Sequence, residues 1–171
     1  MRPTRTKLLT GIVATIVVVA ALPAASAGLH AAQRSTEDCV RDQLGVRDNG
    51  SQGTAGTIHG AWVFTNLSGR ACKLFGYPSM QLYGRAGRPI PTTVKRNLRP
   101  TPTRVTLGPG ASATFFSRYS DVTSGSDRCP RSAVVRITAP NADASHFIPA
   151  QLQACGGVVD VSAVQAGVHH A

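Results

Sequence analysis

Short stretches of alternating apolar and polar residues dominate the chain from residue 61 onward. Residues 61–65 (AWVFT) are rich in β-branched and aromatic side chains and stop at Asn66, where LSGR reads as a turn. Residues 71–75 form the next short run, and Gly76-Tyr77-Pro78 bends the chain. Met80 and Leu82 alternate about Gln81, as a half-buried strand requires, and the stretch ends in the 84–87 turn. Val105 and Leu107 alternate with Thr and Arg in 103–107, Gly108-Pro109-Gly110 turns the chain, and 112–119 resumes with Ala113 and Phe115. Residues 133–137 (AVVRI), 147–151 and 158–164 (VVDVSAV) supply further strands. Residues 41–46 read as a helical turn or a first strand. NGSQGTAGT over 49–57 reads as a loop. The stretch 88–102, with Pro89, Pro91, Pro100 and Pro102, reads as a long exposed loop or edge. Seven or eight short strands with frequent turns and no amphipathic helix predict an all-β, antiparallel sandwich, with Trp62 as a core residue.

The first 27 residues have a different pattern. Arg2, Arg5 and Lys7 precede an uncharged run from Leu8 to Leu22, Pro23 breaks it, and Ala25-Ser26-Ala27 forms a small-x-small cleavage site. That layout predicts a signal peptide over 1–27. The apolar run is shorter than the roughly 20 residues of a membrane span. The alternative is an uncleaved N-terminal anchor. The expected organisation is therefore a signal peptide at 1–27, a flexible tail at 28–38, one β-sandwich at 39–165 and a C-terminal tail at 166–171, in a secreted or extracytoplasmic protein.

Export gives the cysteines their meaning. Cys39, Cys72, Cys129 and Cys155 are an even set in an oxidising compartment, so two disulfides are expected. Four cysteines allow three pairings. Cys39–Cys72 with Cys129–Cys155 closes the shorter loops and is preferred. The wide spacing, without C-x-x-C, argues against a zinc site.

Charge adds a candidate surface. Loss of Arg2, Arg5 and Lys7 with the signal lowers the formal charge from +10 to about +7. No acidic residue lies between Asp48 and Asp121, whereas that interval holds Arg85, Arg88, Lys95, Arg96, Arg99 and Arg104. A single-sign field of this kind attracts anions, with cell-wall polymer or membrane-surface lipid as the expected partners. The six cations, in a contact region over 85–104, are the candidate binding residues. Nucleic acid is not expected: export argues against it, and the stretch from Arg85 to Arg104 has no aromatic residue to stack a base. A basic protein that is merely kept soluble by its charge is the plain alternative.

Catalytic chemistry finds little footing. Of the histidines, His30 lies in the N-terminal tail and His169 and His170 in the C-terminal one, leaving His59 and His146 within the fold. No G-x-S-x-G elbow occurs. Glu37 is the single glutamate, and Asp121, Asp127, Asp143 and Asp160 are scattered. No catalytic residue, cofactor or structural metal is expected, and the domain is read as a monomeric, non-enzymatic module. An unrecognised hydrolase would need a concave pocket with His59 or His146 facing an acid. One conditional metal site exists: cleavage after Ala27 would expose Gly28-Leu29-His30. Its amine, two amide nitrogens and imidazole form a square-planar set suited to Cu(II) or Ni(II).

The stretch TNLSGRACKLFGYPSMQLYGRAGRPI resembles the Domain of Unknown Function 4232 family of actinobacterial exported proteins. Asn66, Cys72, Leu74, Gly76, Tyr77 and Pro78 stand in its Asn…Cys-x-Leu-x-Gly-Tyr-Pro pattern. VTLGPGASATFF (105–116) is similar to its Leu-x-Pro-Gly-x-x-Ala strand pair, and Cys129 and Cys155 fit near the end. The resemblance spans about residues 39 to 164. It implies an exported or surface-attached immunoglobulin-like domain and carries no activity with it. Many relatives look like lipoproteins with a low-complexity linker, whereas this chain has no cysteine at the cleavage site.

Overall fold

A computed structural model describes residues 36–96, 100–125, 128–142 and 145–171. The signal segment 1–27, His30, Arg99 and tail residues 28–35 lie outside the described residues. After a 3-10 turn at Arg41–Gln43, eleven strands follow among the described residues: β1 Leu44–Thr54, β2 Thr57–Asn66, β3 Cys72–Phe75, β4 Ser79–Tyr83, β5 Thr93–Arg96, β6 Arg104–Leu107, β7 Ser112–Ser120, β8 Val134–Thr138, β9 Ser145–Pro149, β10 Val158–Val161 and β11 Gln165–Ala166. A second 3-10 turn, Cys155–Gly157, leads into β10. The fold is an all-β, immunoglobulin-like sandwich.

One layer is a six-stranded sheet in the order β1-β2-β7-β10-β5, with β11 also on β7. The other side is supplied by β3-β6 and by β4-β8-β9. Alternation decides what each strand buries. Trp62, Phe64, Phe115, Val159 and Val161 enter one core with Leu74, Leu82, Leu107, Val135 and Ile137 from the facing sheets. At its centre the Phe115 ring lies 6.4 Å from Trp62 and 5.5 Å from Phe64, centroid to centroid. Trp62 can be buried because its indole N–H donates to Ser117 Oγ at 2.9 Å. Cys39 is bonded to Cys72, and Cys129 to Cys155.

Asn66 closes the β2 end of the fold. It is fully buried, so every polar atom needs a partner. Its Nδ2 donates to the carbonyls of Arg70 (2.8 Å) and Leu107 (2.9 Å), and its Oδ1 accepts from the Ser68 amide and hydroxyl. This one side chain ties the 67–71 turn to the end of β6.

The structure corrects five expectations. The 49–57 loop is instead most of a hairpin between β1 and β2, joined by Ala55 (φ 48°) and Gly56 (φ 79°). Two positive φ angles make a two-residue turn whose twist matches the strands, and the pairing partner β2 is deeply buried, so a polar β1 follows it. The long loop expected over 88–102 contains β5. It pairs in parallel with β10 through Val158↔Thr93 to Val161↔Arg96, so the sandwich is antiparallel except at this edge. Edge strands tolerate neighbouring prolines, which is why β5 fits there. The strand expected over 158–164 ends early, as β10 at Val161, and β11 lies beyond it at Gln165–Ala166. Glu37 and Asp38, expected in the flexible tail, lie against β3: the Lys73 amide donates to Glu37 O at 2.9 Å, and Lys73 Nζ is 3.8 Å from the Asp38 carboxylate. The C-terminal tail is docked as well. Thr114 Oγ1 donates to Gly167 O (2.8 Å) and accepts from the His169 amide (3.0 Å), and Asn49 Nδ2 donates to His169 O (2.8 Å).

Gly157 is fixed by contact. A Cβ there would stand 2.4 Å from the Pro91 carbonyl oxygen, and its φ is +71°. Gly157→Ala is expected to cost at least about 2 kcal/mol, since both backbone strain and a collision with fixed backbone oppose it. The midpoint of urea unfolding measures this; an unchanged midpoint would refute the contact.

Candidate functional site

Arg85 and Arg88 sit in the turn after β4, Lys95 and Arg96 on β5, and Arg104 at the start of β6; all five are exposed. Arg99 falls outside the described residues. The ion pairs found among the described residues are Lys73–Asp38 and Arg118–Asp160, so none of the five has an acidic partner there.

They do not form one cluster. The chain after the turn runs back along β4: Pro89 bridges Tyr83, and the Ile90 amide donates to Leu82 O at 2.9 Å. β5 then ends with the Arg96 guanidinium 6.0 Å from the centre of the Tyr77 ring, at the opposite end of β4. Arg104 pairs with Phe75, two residues before Tyr77. The cations therefore occupy two ends of one edge, Arg85 and Arg88 at one and Arg96 and Arg104 at the other. Lys95 points the other way, in register with Asp160 on the six-stranded sheet.

A cleft of about 440 Å³ opens beside this crossover. Pro89, Ile90, Pro91 and Pro130 give it apolar walls, Arg128 supplies a charge, and the backbone of Gly157 closes it. A second surface feature lies on the outside of β4-β8-β9. There Tyr83 and Phe147 rings are 5.8 Å apart, and the Arg136 guanidinium is 5.9 Å from the Tyr83 ring centre. Sequence reasoning missed this group, because its members are far apart in the chain and only strand register joins them.

The histidines are placed separately. His59 is exposed on β2, in register with Arg118. Asp160, which lines the same small cleft as His59, accepts two hydrogen bonds from Arg118, at 2.6 and 3.1 Å. His146 lies on β9, its Nε2 buried and unbonded among the described residues. Burial holds its pKa below the ordinary imidazole value, and the Arg41 charge pushes the same way. Burial raises the Tyr119 phenol, helped by Asp121 and Asp48. Among the described residues, no group of three or more His, Cys, Asp or Glu side chains is placed to hold a metal ion.

Two disulfides fit an oxidising, extracytoplasmic environment, and no helix among the described residues is long and apolar enough to cross a membrane. No curated protein and no solved structure shows significant similarity to the chain. The family profile of the Domain of unknown function (DUF4232) matches residues 39–168, most of the chain beyond the expected signal. With its Asn66 and Cys72 in structural roles and its two disulfides formed, this chain belongs to the DUF4232 family.

Proposed function

We propose that the protein is an exported, non-enzymatic binding module that recruits anionic components of the cell envelope through its exposed cations. The observation that carries this reading is the acid-free interval between Asp48 and Asp121, whose cations Arg85, Arg88, Lys95, Arg96 and Arg104 all reach solvent without an ion-pair partner among the described residues. Recognition is by charge rather than shape, so the partner is an acidic wall polymer or a lipid headgroup layer. The signal at 1–27 directs export, and its cleavage releases the domain as a monomer; retention of that segment would tether it at the membrane.

Isolated envelope and a carboxylate resin should both retain the protein at low salt and release it as ionic strength rises, because exposed charges are screened beyond about 10 Å at 0.1 M salt. The cations lie at two ends of one edge, so Arg85→Glu/Arg88→Glu and Arg96→Glu/Arg104→Glu should each weaken retention in part. Each cation near an anionic surface contributes about 1 kcal/mol. The fourfold variant should be lost altogether. Full retention of the fourfold variant would sink this reading and leave a structural domain without a ligand site.

A further inference from the structure

We propose that the outer face of the β4-β8-β9 sheet is a binding site for an acidic polysaccharide, with Tyr83 and Phe147 stacking on sugar rings and Arg136 pairing with a sugar carboxylate. The inference rests on the anionic-partner reading above and names the chemistry of the partner.

Strand alternation builds the face. Met80 and Leu82 of β4 and Val135 and Ile137 of β8 point into the core, which turns Tyr83 and Arg136 outward. Antiparallel register places Arg136 directly opposite Phe147, and Val134 between Tyr83 and Pro149. Tyr83 and Phe147 are therefore diagonal neighbours across β8, with ring centroids 5.8 Å apart and planes tilted by 55°. Phe147 is 57% exposed, in a protein that buries Trp62, Phe64 and Phe115 almost completely.

The chemistry of the patch selects its occupant. A hexose ring offers a face of C–H bonds that packs on an aromatic ring, while its hydroxyls stay in water. The Arg136 guanidinium rests against Tyr83, 5.9 Å from its centre. Stacking orients its planar fork for a carboxylate. The strands β4, β8 and β9 contain no acidic residue, and Arg85 and Arg88 follow Tyr83 in the adjoining turn. An anionic chain lying over Phe147 and Tyr83 is thus met by positive charge at its centre and at one end. One strongly exposed ring is too small an apolar area for a stable dimer interface, which needs roughly 800 Å² per partner.

The test uses three soluble polymers. Polygalacturonate carries sugar rings and carboxylates, dextran carries rings alone, and polyglutamate carries charge alone. The wild-type protein should bind polygalacturonate more tightly than polyglutamate and should not hold dextran measurably. Phe147→Ala should weaken polygalacturonate binding about tenfold and leave polyglutamate binding unchanged, whereas Tyr83→Ala, which also frees Arg136, should weaken polygalacturonate binding more than polyglutamate binding. Arg136→Ala should weaken both. Thermal unfolding of each variant, compared with the wild type, separates loss of the site from loss of the fold, and Phe147→Tyr should restore binding because it keeps the ring. Wild-type affinity for polygalacturonate in both alanine variants would overturn the sugar platform while the charge reading stands. Absence of salt-sensitive binding to either anionic polymer would overturn both. A dimer in sedimentation that Phe147→Ala dissociates would assign the face to a second copy and also overturn the proposal.

Discussion

Reduction of both disulfides is expected to leave the domain largely unfolded near physiological temperature. The crosslinks close loops of 33 and 26 residues. In the chain-entropy account, each removes about 3 to 4 kcal/mol worth of freedom from the unfolded state. Their sum, roughly 7 kcal/mol, is comparable with the whole stability of a domain this size, typically 5–15 kcal/mol. The two should not open together. Cys39 and Cys72 are both about 1% exposed, whereas Cys129 is partly exposed. A mild thiol reductant should therefore break Cys129–Cys155 first. Urea unfolding with and without reductant, with thiol trapping at intermediate times, measures both statements. A reduced protein with an unshifted midpoint would show that burial alone holds the sandwich together.

Phe115→Ala is expected to destabilise the domain by about 4 kcal/mol, near the upper end for a large core truncation. Its ring is fully buried between Trp62 and Phe64, so the substitution removes apolar burial and two aromatic contacts at once. The same core contains β-branched residues with stiff side chains, including Val135, Ile137 and Val161, which resist collapse into a void. Phe115→Leu should cost much less, because most of the volume remains. Thermal unfolding of the oxidised variants checks the ordering. Equal losses for alanine and leucine would mean that the aromatic geometry, rather than the volume, sets the energy.

Strands that alternate and bury one face were legible in the sequence: β4, β6 and β7 lie within a residue or two of the expected stretches, and Trp62 is a core residue. β9 is displaced by two residues, because Pro149 ends the strand rather than sitting inside it. β1 was hidden for a physical reason. NGSQGT has no apolar period, since the outer edge of the sheet needs none; what makes it a strand is β2 beside it. β5 was hidden by its proline neighbours and by a partner 65 residues later in the chain, Val158 opposite Thr93. The docked C-terminus is held by the Thr114 hydroxyl, by Asn49 and by pairing with β7, all far back in the chain, which nothing in a Gly-, Val- and His-rich ending announces. The candidate site divides the same way. The cations were visible as a run without acids, but their separation into two ends of an edge follows from the path of the chain back along β4. Tyr83, Arg136 and Phe147 meet only through the register of three strands.

The disulfides also set how the protein responds to tension. When the chain is stretched between its two ends, tension passes through the covalent Cys39–Cys72 and Cys129–Cys155 links and bypasses the segments they enclose. Those segments span 33 and 26 residue steps. At the roughly 3.5 Å per residue of extended backbone, about 200 Å of slack is withheld. The β1–β2 hairpin and the β8–β9 pair both lie inside the bypassed segments, so the β4-β8-β9 sheet, except β4, is shielded from load. A molecule pulled at its ends would extend through the stretches outside the two loops, of which the one between Cys72 and Cys129 carries the cationic edge.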